Sequence, residues 1–288
     1  MKKECVFFNE TGDEVLDDLT IEYNAALGAA SKSAVNSLFH SAEFAQAEEF
    51  RFSALSASAY ADLQFPESEF VAEVRQIPSF YIDLNEIRES GKAYIDFLSK
   101  NRRNKLRRSE REYERKGELA LHSASSVAEA LEMLEALKSL HQQEWNRRGK
   151  PGAFGSEFFC DFHRALVQSR FEHGEIELLK VSSDSNVIGY LYNFVYQGAT
   201  LFYQSGLNYG ESNIERPGLV CHHLAINHNL AQDRRIYNFL GGDSAYKQSL
   251  STNSDSLYSV RVVRRNLKWR VERGLRMLTG RSSGSQAL

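Results

Sequence analysis

A strand, a loop, a helix and a second strand follow one another within residues 199–250, and this order restricts the possible folds more than any other stretch of the chain. The side chains of residues 199–207 alternate with a period of two, which predicts a β-strand with two different faces. Pro217 then occupies the position that a first helical turn favours, because the amide it lacks would have no partner there. Apolar residues recur at helical spacing over 219–230, which predicts a helix that lies on a sheet.

The junction of Arg216, Pro217 and Gly218 between this strand and this helix has the features of an anion site. The free amides of a first helical turn point outwards, and the helix dipole favours negative charge there. Arg216 adds a planar cation that suits phosphate. An ordinary strand–helix connection closed by Pro-Gly would contain the same residues, so the local pattern leaves both interpretations open.

The composition limits the class of protein. A chain of 288 residues that is 42% hydrophobic and 25% charged has room for one large or two modest globular domains. The net charge of -3 argues against nucleic-acid binding by bulk charge. Three widely separated cysteines give neither a disulfide framework nor a zinc pattern, and they indicate a reducing, cytoplasmic environment. We expect no signal peptide and no membrane span, because no apolar run is long enough.

The first part of the chain shows little regular pattern. Residues 25–60 are rich in Ala, Ser and Glu and have no firm apolar period, which predicts a partly helical or loosely attached region. A short extended segment is expected at 80–84. We therefore predict a short N-terminal region over residues 1–79, a main domain over residues 80–280 and a disordered tail over residues 281–288.

A basic helix is predicted before the main series of strands. Its helical spacing runs from Tyr94 to Tyr113, and Gly117 is a good stop signal. This segment contains three glutamates and nine cations. The cations are Lys100, Arg102, Arg103, Lys105, Arg107, Arg108, Arg111, Arg115 and Lys116. A solvated face with i,i+4 ion pairs is one interpretation. The other is a binding face for a polyanion or a phosphorylated substrate, because so many like charges repel one another unless something relieves them.

The predicted elements after this helix alternate between strands and helices in a distinctive order. Strands are predicted at 118–123, 175–181, 187–196, 199–207, 236–240 and 257–263, and helices at 127–148, 157–172, 217–235 and 266–279. Ser125 or Ser126 and Ser156 are expected to cap the first two helices. Short connections predict an antiparallel meander of the three central strands. The expected fold class is mixed α and β (α+β), with a mostly antiparallel central sheet flanked by helices and a long basic helix before it, which is the element order of the GNAT acyltransferase fold.

Four segments resemble one family of acyltransferases. They are residues 101–108 (Asn-Arg-Arg-Asn-Lys-Leu-Arg-Arg), Glu144-Trp145, residues 216–219 (Arg-Pro-Gly-Leu) and residues 239–247 (Phe-Leu-Gly-Gly-Asp-Ser-Ala-Tyr-Lys). Together they resemble the CelD-like acetyltransferases, which are GNAT-superfamily proteins similar to Fem-type peptidoglycan aminoacyltransferases and are associated with bacterial cellulose or exopolysaccharide production. The resemblance covers about residues 80–265, and the Gly-Asp-x-x-Tyr-Lys element and its spacing from Pro-Gly are its most specific parts.

The chain departs from this family at two points. Family members usually have a further N-terminal GNAT-like half, for which residues 1–79 are too short, so that half is truncated or degenerate here. A partner chain or a second copy would then complete the molecule. The loop before the 217–235 helix has one glycine, Gly218, where acetyl-CoA loops of the superfamily have more, and this leaves the donor open.

The resemblance implies transfer of an acyl group from acetyl-CoA or another acyl-CoA to an amine or hydroxyl of a small molecule, a sugar or an envelope or exopolysaccharide precursor. In that mechanism the acceptor attacks directly, one group removes its proton and another assists the leaving thiolate. The implied residues are Arg216, Pro217, Gly218 and Leu219 for the donor, Asp243, Tyr246 and Lys247 for catalysis, and Arg103, Arg107, Glu144, Trp145, Tyr203 and Gln204 for the substrate.

Simpler roles stay open for several of these residues. Asp243 suits a turn after two glycines, Tyr246 can pack, and Lys247 can be a surface lysine. Because a strand alternates its faces, one of Tyr203 and Gln204 must face the core. The histidines of the central helix have no acidic partners at metal-ligand spacing, so we expect no metal site.

Two alternatives follow from the same residues. A Fem-type enzyme would use aminoacyl-tRNA as its donor, with the basic helix holding the RNA. A non-catalytic GNAT-like module of a polysaccharide-synthesis complex would agree with the short N-terminal region. The sequence leaves the acceptor, the acyl group and the general base open.

Overall fold

The structure is a computed structural model that describes residues 4–26, 31–210 and 212–265. The strands in these residues are β1 Cys5–Phe7, β2 Glu49–Leu55, β3 Phe70–Asp83, β4 Leu119–Ser123, β5 Ile176–Ser183, β6 Asn186–Tyr196, β7 Ala199–Leu207, β8 Ile236–Gly241 and β9 Asn253–Arg264. The α-helices are α1 Glu14–Thr20, α2 Ser31–Ser37, α3 Ala57–Asp62, α4 Leu84–Ser90, α5 Lys100–Glu114, α6 Val127–Arg147, α7 Glu157–Arg170, α8 Pro217–Ala231 and α9 Ala245–Leu250. The helix predicted at 266–279 and the tail predicted at 281–288 lie outside the described residues.

The chain divides into two compact units, of which the first comprises residues 1–78 and 256–288 and the second comprises residues 79–255. In the first unit β1 is parallel to β2, and β2 is antiparallel to β9. The sequence pattern did not predict β1 or β2. In β2, Phe50 and Phe52 alternate with less buried residues, but the strand is too short for this alternation to stand out from the Ala- and Ser-rich sequence around it.

The core of the first unit is rich in phenylalanine. Its buried aromatic rings are Phe39, Phe50, Phe52 and Phe70. Glu49 is also buried, and its carboxylate accepts hydrogen bonds from Arg51 Nε at 2.7 Å and from Arg261 Nη2 at 2.7 Å. Because a buried carboxylate needs such partners, the bond from Arg261 of β9 helps to fix the register of β2 against β9, whereas Arg51 satisfies the carboxylate from within β2.

In the second unit the strand order is β3-β8-β7-β6-β5-β4. β7 and β8 are parallel and the other neighbours are antiparallel, so the predicted meander of β5, β6 and β7 is confirmed. Helices cover both faces of this sheet. Two adjacent residues of β7 show which helix covers each face. The Phe202 ring contacts His222 of α8, and the Tyr203 ring contacts His163 of α7.

Polar caps set where the helices of this unit begin. At the start of α5, α6 and α7, the hydroxyl groups of Ser99, Ser126 and Ser156 accept an amide N–H from the first turn. The caps predicted at Ser126 and Ser156 are confirmed, as is the mixed fold class with a basic helix before the sheet. None of the helices in the described part of the chain has the length and apolar character that a bilayer crossing requires.

Three predicted elements differ from the structure. The basic helix is interrupted, because a 3-10 turn at Tyr94–Phe97 precedes Ser99, the residue that caps α5. The extended segment predicted at 80–84 is the end of the longer strand β3, which continues through Pro78 because the irregular register at Ser79–Tyr81 tolerates a missing amide. Residues 245–250 form the short helix α9 where only a polar segment was predicted.

Candidate functional site

β7 and β8 are paired over only three residues and then separate. The pairs are Ala199 with Ile236, Thr200 with Tyr237, and Leu201 with Asn238. Both strands continue beyond these pairs, β7 as far as Leu207 and β8 as far as Gly241. On its other edge β8 stays paired with β3. The divergence leaves an opening between two neighbouring strands, here called the β7–β8 gap.

A β-bulge in β7 lies at the start of this gap. The register between β6 and β7 shifts by one residue after Tyr192, and Tyr203 is the extra residue. Tyr203 Oη lies 3.2 Å from His163 Nε2, and Tyr192 Oη lies 3.2 Å from His163 Nδ1. Gln204 is paired with Tyr192, and opposite residues of an antiparallel pair share a face. The predicted strict alternation, which put Tyr203 and Gln204 on opposite faces, is therefore wrong at the bulge.

The backbone of Ser205 faces the β7–β8 gap. The Asn208 N–H donates to the Ile188 carbonyl at 2.9 Å, which sets the alternation of the β6–β7 ladder and turns Ser205 away from β6. The Ser205 carbonyl instead lies 3.1 Å from His141 Nδ1. Both backbone polar groups of a residue in an antiparallel strand point to the same side, so the Ser205 N–H is also directed to the gap.

Two buried histidines hold α6 and α7 against β7. His141 Nδ1 donates to the Ser205 carbonyl and His141 Nε2 accepts the Ala153 N–H at 3.4 Å, which selects one neutral tautomer. His163 lies between two tyrosine hydroxyls, so its neutral ring can accept from one and donate to the other. Burial lowers the pKa of both imidazoles, to about 4 for His163.

We expect the protein to lose stability in acid because of such buried neutral histidines. Burial lowers the pKa of His163 to about 4, whereas an exposed imidazole in the unfolded chain has a pKa of about 6.5. The unfolded state therefore binds the proton first, so this contribution is fully present above about pH 6.5 and is lost as the pH falls towards about 4. The expected slope is about 1.4 kcal/mol per pH unit for each such histidine.

Urea unfolding at a series of pH values would measure this slope. A His163→Gln variant should show a shallower dependence of the unfolding free energy between about pH 6.5 and 4, because one buried titrating group is gone. The matched control is His173→Gln, since His173 is exposed. Equal slopes for the wild type and His163→Gln would contradict the prediction.

The basic helix α5 fixes the loop before α8. Ser109 Oγ accepts the Arg216 N–H at 2.9 Å, and Lys116 forms an ion pair with Glu215. Ser109 and Glu215 are both largely buried. One part of the basic helix therefore has a structural role that the sequence analysis did not assign to it.

The first turn of α8 has an amide whose hydrogen bond no other described residue accepts. The Leu219 N–H donates to the Arg216 carbonyl at 3.0 Å, and Pro217 has no N–H. Among the described residues, the Gly218 N–H has no acceptor. A β-carbon at Gly218 would lie 3.2 Å from Leu207 Cδ1, so a larger residue would crowd the end of β7. This turn thus has the free donor and the close approach that an anion site needs.

Two arginines that have no counter-ion in the described part of the chain meet at this turn. Arg216 is exposed, and Arg102 from the first turn of α5 is half-buried. The pKa of Arg102 is lowered, first by burial of its guanidinium and then by the positive charge of Arg216. Neither forms an ion pair with any residue in the described ranges. Because the first turn of α5 contains no acidic residue, its cations also oppose the helix dipole, and an anion would relieve both repulsions.

Sequence reasoning selected Arg103 and Arg107 from this helix and missed Arg102. Arg103 Nη1 pairs with Asp96 Oδ1 at 3.3 Å, and Arg107 is exposed. Their roles as substrate ligands stay predictions. The signal for Arg102 was its helical phase, because it lies one turn before Leu106, the buried residue that marks the inner face.

The predicted catalytic residues follow β8 directly. Lys247 Nζ donates to the Gly241 carbonyl at 2.6 Å, which closes the turn between β8 and α9. Gly242 has a φ of 119°, a conformation that side chains rarely adopt. Asp243 is exposed on the same turn. Lys247 is thus placed to orient this turn, whatever else it binds.

Tyr246 connects the end of β8 to α8 and to the loop after β7. Its ring stacks on His222 of α8, with ring centroids 6.1 Å apart and an interplanar angle of 21°. Although the residue is 42% exposed, its hydroxyl is desolvated, and this desolvation, together with the nearby Tyr209, raises the pKa of Tyr246. Tyr246 therefore keeps its proton at neutral pH.

Glu144 lies at the end of α6 and is bound by two arginines. It accepts hydrogen bonds from Arg147 Nε at 2.7 Å and from Arg148 Nε at 2.7 Å. The hydrogen bond from Arg147 is the main reason that the pKa of Glu144 is lowered to about 2. Glu144 is therefore ionised at neutral pH, and its carboxylate orients two guanidinium groups.

Trp145 lies next to these arginines and close to the loop after β7. Arg148 Cζ lies 5.7 Å and Lys150 Nζ lies 5.9 Å from the centre of the Trp145 ring. Burial raises the pKa of Tyr209, and the Arg148 charge lowers it in part, which places Tyr209 beside Arg148. Tyr209 also interacts with Tyr246 and so connects the end of α6 to the end of β8.

The structure thus brings most of the predicted residues to the open end of the β7–β8 gap. Arg216–Leu219 begin α8, residues 243–247 follow β8, and Glu144 and Trp145 end α6. Tyr203 and Gln204 lie on β7. Arg102, Ser205 and Tyr209 belong to the same region and were not selected from the sequence.

A protein-family model described as an acetyltransferase (GNAT) domain matches residues 100–248. The chain belongs to this GNAT acetyltransferase family. The match covers more than half of the chain and includes the β7–β8 gap, α8 and α9. The GNAT-like fold expected from the element order is thereby confirmed, and family membership indicates a transferase. Membership of the CelD-like subgroup stays a prediction.

Several solved structures have a similar fold. FemX matches with a TM-score of 0.57 at 10% identity, over 91% of this chain and 82% of that one. The C-terminal domain of a putative lysylphosphatidylglycerol synthetase from Agrobacterium fabrum matches with a TM-score of 0.54 at 12% identity, over 90% and 80%. L-PGS from Bacillus licheniformis matches with a TM-score of 0.54 at 12% identity, over 88% and 79%. At these identities the likeness shows the fold. No curated protein sequence matches the chain at a significant level.

The histidines of α8 each have their own partner in this GNAT domain. His222 Nδ1 lies 3.0 Å from a tyrosine hydroxyl, His223 Nδ1 lies 2.5 Å from Glu110, and His228 Nε2 lies 3.5 Å from Glu177. In the ranges that the structure describes, no group of three or more His, Cys, Asp and Glu side chains is arranged to hold a metal ion.

Proposed function

We propose that the chain transfers an acyl group from acetyl-CoA, or from another acyl-CoA, to an amine or hydroxyl group of an acceptor. The observation that supports this most is the β7–β8 gap, which opens beside a helix start with two arginines that form no ion pair within the described ranges. Bound acyl-CoA supplies a thioester carbonyl, and such a donor needs an opening for its extended arm and an anion site for its diphosphate. The β7–β8 gap suits the extended arm, and the turn at Arg216–Leu219 suits the diphosphate.

Arg102, Arg216 and the Gly218 N–H are the groups that would hold the diphosphate. The two guanidinium groups have no counter-ion among the described residues, and the Gly218 amide has no acceptor there. Hydrogen bonds to charged groups each contribute about 1.5–3 kcal/mol. Pro217 and Leu219 are buried and support the turn.

Three groups of the chain suit the chemical step. The Ser205 N–H faces the gap and can polarise a carbonyl oxygen there. The Tyr246 hydroxyl is protonated at neutral pH, as a tyrosine with its ordinary pKa of about 10 already is, so it can donate its proton to a leaving sulfur. The exposed carboxylate of Asp243 can accept a proton from the acceptor, and Lys247 holds the turn between them.

The acceptor is proposed to be a small molecule, a sugar or a precursor of a bacterial envelope or exopolysaccharide, modified in the cytoplasm. The motifs shared with CelD-like acetyltransferases support this class. The acceptor would bind on the α6 and α7 side of the sheet, where Tyr203 and Gln204 share a face and where Glu144 and Trp145 end α6.

Aminoacyl-tRNA is the second candidate donor. The fold is shared with FemX and with lysylphosphatidylglycerol synthetase domains, and α5 has exposed cations such as Lys105 and Arg108 that form no ion pair within the described residues. RNA binding to that face would weaken steeply with salt.

A thermal-shift comparison would test the donor. We expect acetyl-CoA to raise the melting temperature of the full chain, because a ligand that binds only the folded state stabilises it by about 2.7 kcal/mol at 100 times its Kd. Deacylated tRNA should give no comparable shift in the same buffer. A shift with tRNA alone would favour the aminoacyl-tRNA donor, and no shift with either ligand would favour a non-catalytic module.

A further inference from the structure

A group of aromatic and basic side chains lies where α6 ends. We call it the Trp145 cluster, and its members are Trp145, Arg147, Arg148, Lys150 and Tyr209. It is separate in sequence from Arg102 and Arg216, the arginines at the start of α8. The proposed transfer reaction assigns it no role so far, apart from Trp145 as a general substrate contact.

The Trp145 cluster is held in place before any ligand arrives. The Lys150 N–H donates to the Trp145 carbonyl at 2.9 Å, and Gln142 Nε2 donates to the Pro151 carbonyl at 2.8 Å. Gly152 has a φ of 67°, and a β-carbon there would lie 3.0 Å from Trp145 Cβ, so the loop packs directly on α6. A loop fixed in this way loses little conformational entropy when its side chains bind a ligand.

Cations exceed anions in the Trp145 cluster. Arg147 and Arg148 share a single carboxylate, that of Glu144. Lys150 forms no ion pair with any residue that the structure describes, and its ammonium lies over the Trp145 ring. Three cations therefore face one carboxylate, which leaves a surplus of two positive charges beside a large aromatic surface.

Tyr209 connects this surplus to the open end of the β7–β8 gap. Tyr209 follows the end of β7 by two residues, and it is 50% exposed. It lies beside Arg148, and it is near enough to Tyr246, the proposed proton donor, to raise the pKa of that hydroxyl. A molecule bound on the Trp145 cluster would therefore extend towards the reacting groups.

We propose that the Trp145 cluster binds a phosphate group of the acceptor, so that the acceptor is a phosphorylated sugar or a nucleotide-linked sugar. This inference rests on the proposed acyl transfer. A phosphate monoester has a charge of about −1.5 to −2 at pH 7, which the surplus of two cations matches. Arginine suits phosphate through its fork of donors, and the rings of Trp145 and Tyr209 suit the flat apolar face of a sugar or a base.

Isothermal titration calorimetry on the full chain saturated with CoA would test this inference. Bound CoA occupies the proposed donor site, so the phosphate of a probe cannot bind there. The probes are glucosamine, glucosamine 6-phosphate and UDP-N-acetylglucosamine. We expect the Kd of at least one phosphorylated probe to be lower than that of glucosamine by about tenfold or more. The reason is that hydrogen bonds to charged groups are stronger than neutral ones by about the free energy of a tenfold change in affinity. Tighter binding of the monoester or of the UDP-sugar identifies which of the two sources the acceptor phosphate has.

Arg148→Gln and Lys150→Gln should each remove most of this preference and leave CoA binding unchanged. The matched control is Arg170→Gln, which removes the charge of the last residue of α7 from an exposed ion pair with Glu175. Equal affinity for glucosamine and both phosphorylated probes, or an equal loss in Arg170→Gln, would overturn the inference. If CoA does not bind, the proposed acyl transfer fails, and the same titrations without CoA still show whether Arg148 and Lys150 recognise phosphate.

Discussion

A double variant with Arg102→Gln and Arg216→Gln is expected to lose the rise in melting temperature that acetyl-CoA gives the wild-type chain. Hydrogen bonds to charged groups contribute about 1.5–3 kcal/mol each, so the loss of two weakens binding by about 100-fold or more. The ligand-free variant should be at least as stable as the wild type, because the charge of Arg216 already disfavours the charged form of Arg102. Differential scanning fluorimetry with and without acetyl-CoA measures both effects.

The matched control is a double variant with Arg108→Gln and Arg111→Gln. These arginines lie on the same helix, are exposed and give the same change in net charge. They lie away from the inner face marked by Leu106 and Ser109, so the acetyl-CoA shift should be retained. Equal losses in the two double variants would mean that overall charge, and not the turn at the start of α8, determines donor binding.

A Gly206→Ala substitution is expected to destabilise the second unit by about 3 kcal/mol, the upper end of the usual cost of overpacking. A β-carbon at residue 206 would lie 2.2 Å from the Leu137 carbonyl oxygen of α6, and backbone atoms cannot move aside as a flexible side chain can. Either α6 must leave β7 or β7 must distort at the edge of the β7–β8 gap. Urea denaturation measures the change in unfolding free energy.

Gly155→Ala is the matched control for that substitution. A β-carbon there would lie 3.5 Å from Pro151, an ordinary contact. Its stability should therefore equal that of the wild type within about 0.5 kcal/mol. Similar losses in Gly206→Ala and Gly155→Ala would contradict the close contact between α6 and β7.

Local patterns were sufficient to predict most of the helices and strands of the second unit. The helices α6 and α7 each have a serine cap and an apolar stripe, and the meander has short turns between alternating strands. These signals involve residues that are neighbours in sequence, so a single sequence contains them. The turn at Arg216 could be identified for the same reason, because Pro217 and Gly218 follow each other directly.

Features of the site that depend on pairing between distant residues could not be predicted. The bulge at Tyr203 exists only relative to β6, and the β7–β8 gap exists only because pairing stops after Leu201 and Asn238. Tyr209 lies in a loop without a pattern, so nothing in the sequence connects it to Arg148. The divergence and the loop place the groups that we propose to react, and both arise from tertiary structure.

The first unit shows the same limit in a different way. Its strand β2 pairs with β9, which lies about two hundred residues later, and the buried Glu49 is satisfied by Arg261 from that strand. A buried glutamate in a short apolar segment does not resemble a strand until its partner is known. The composition of residues 25–60 therefore suggested a looser structure than the one observed.

A crystal structure of the full chain with acetyl-CoA would test the central claim most directly. The diphosphate should lie within hydrogen-bond distance of Arg102, Arg216 and the Gly218 N–H, and the thioester should lie between β7 and β8 with its carbonyl oxygen at the Ser205 N–H. Acetyl-CoA bound elsewhere, or β7 and β8 paired along their full length with no room between them, would contradict it.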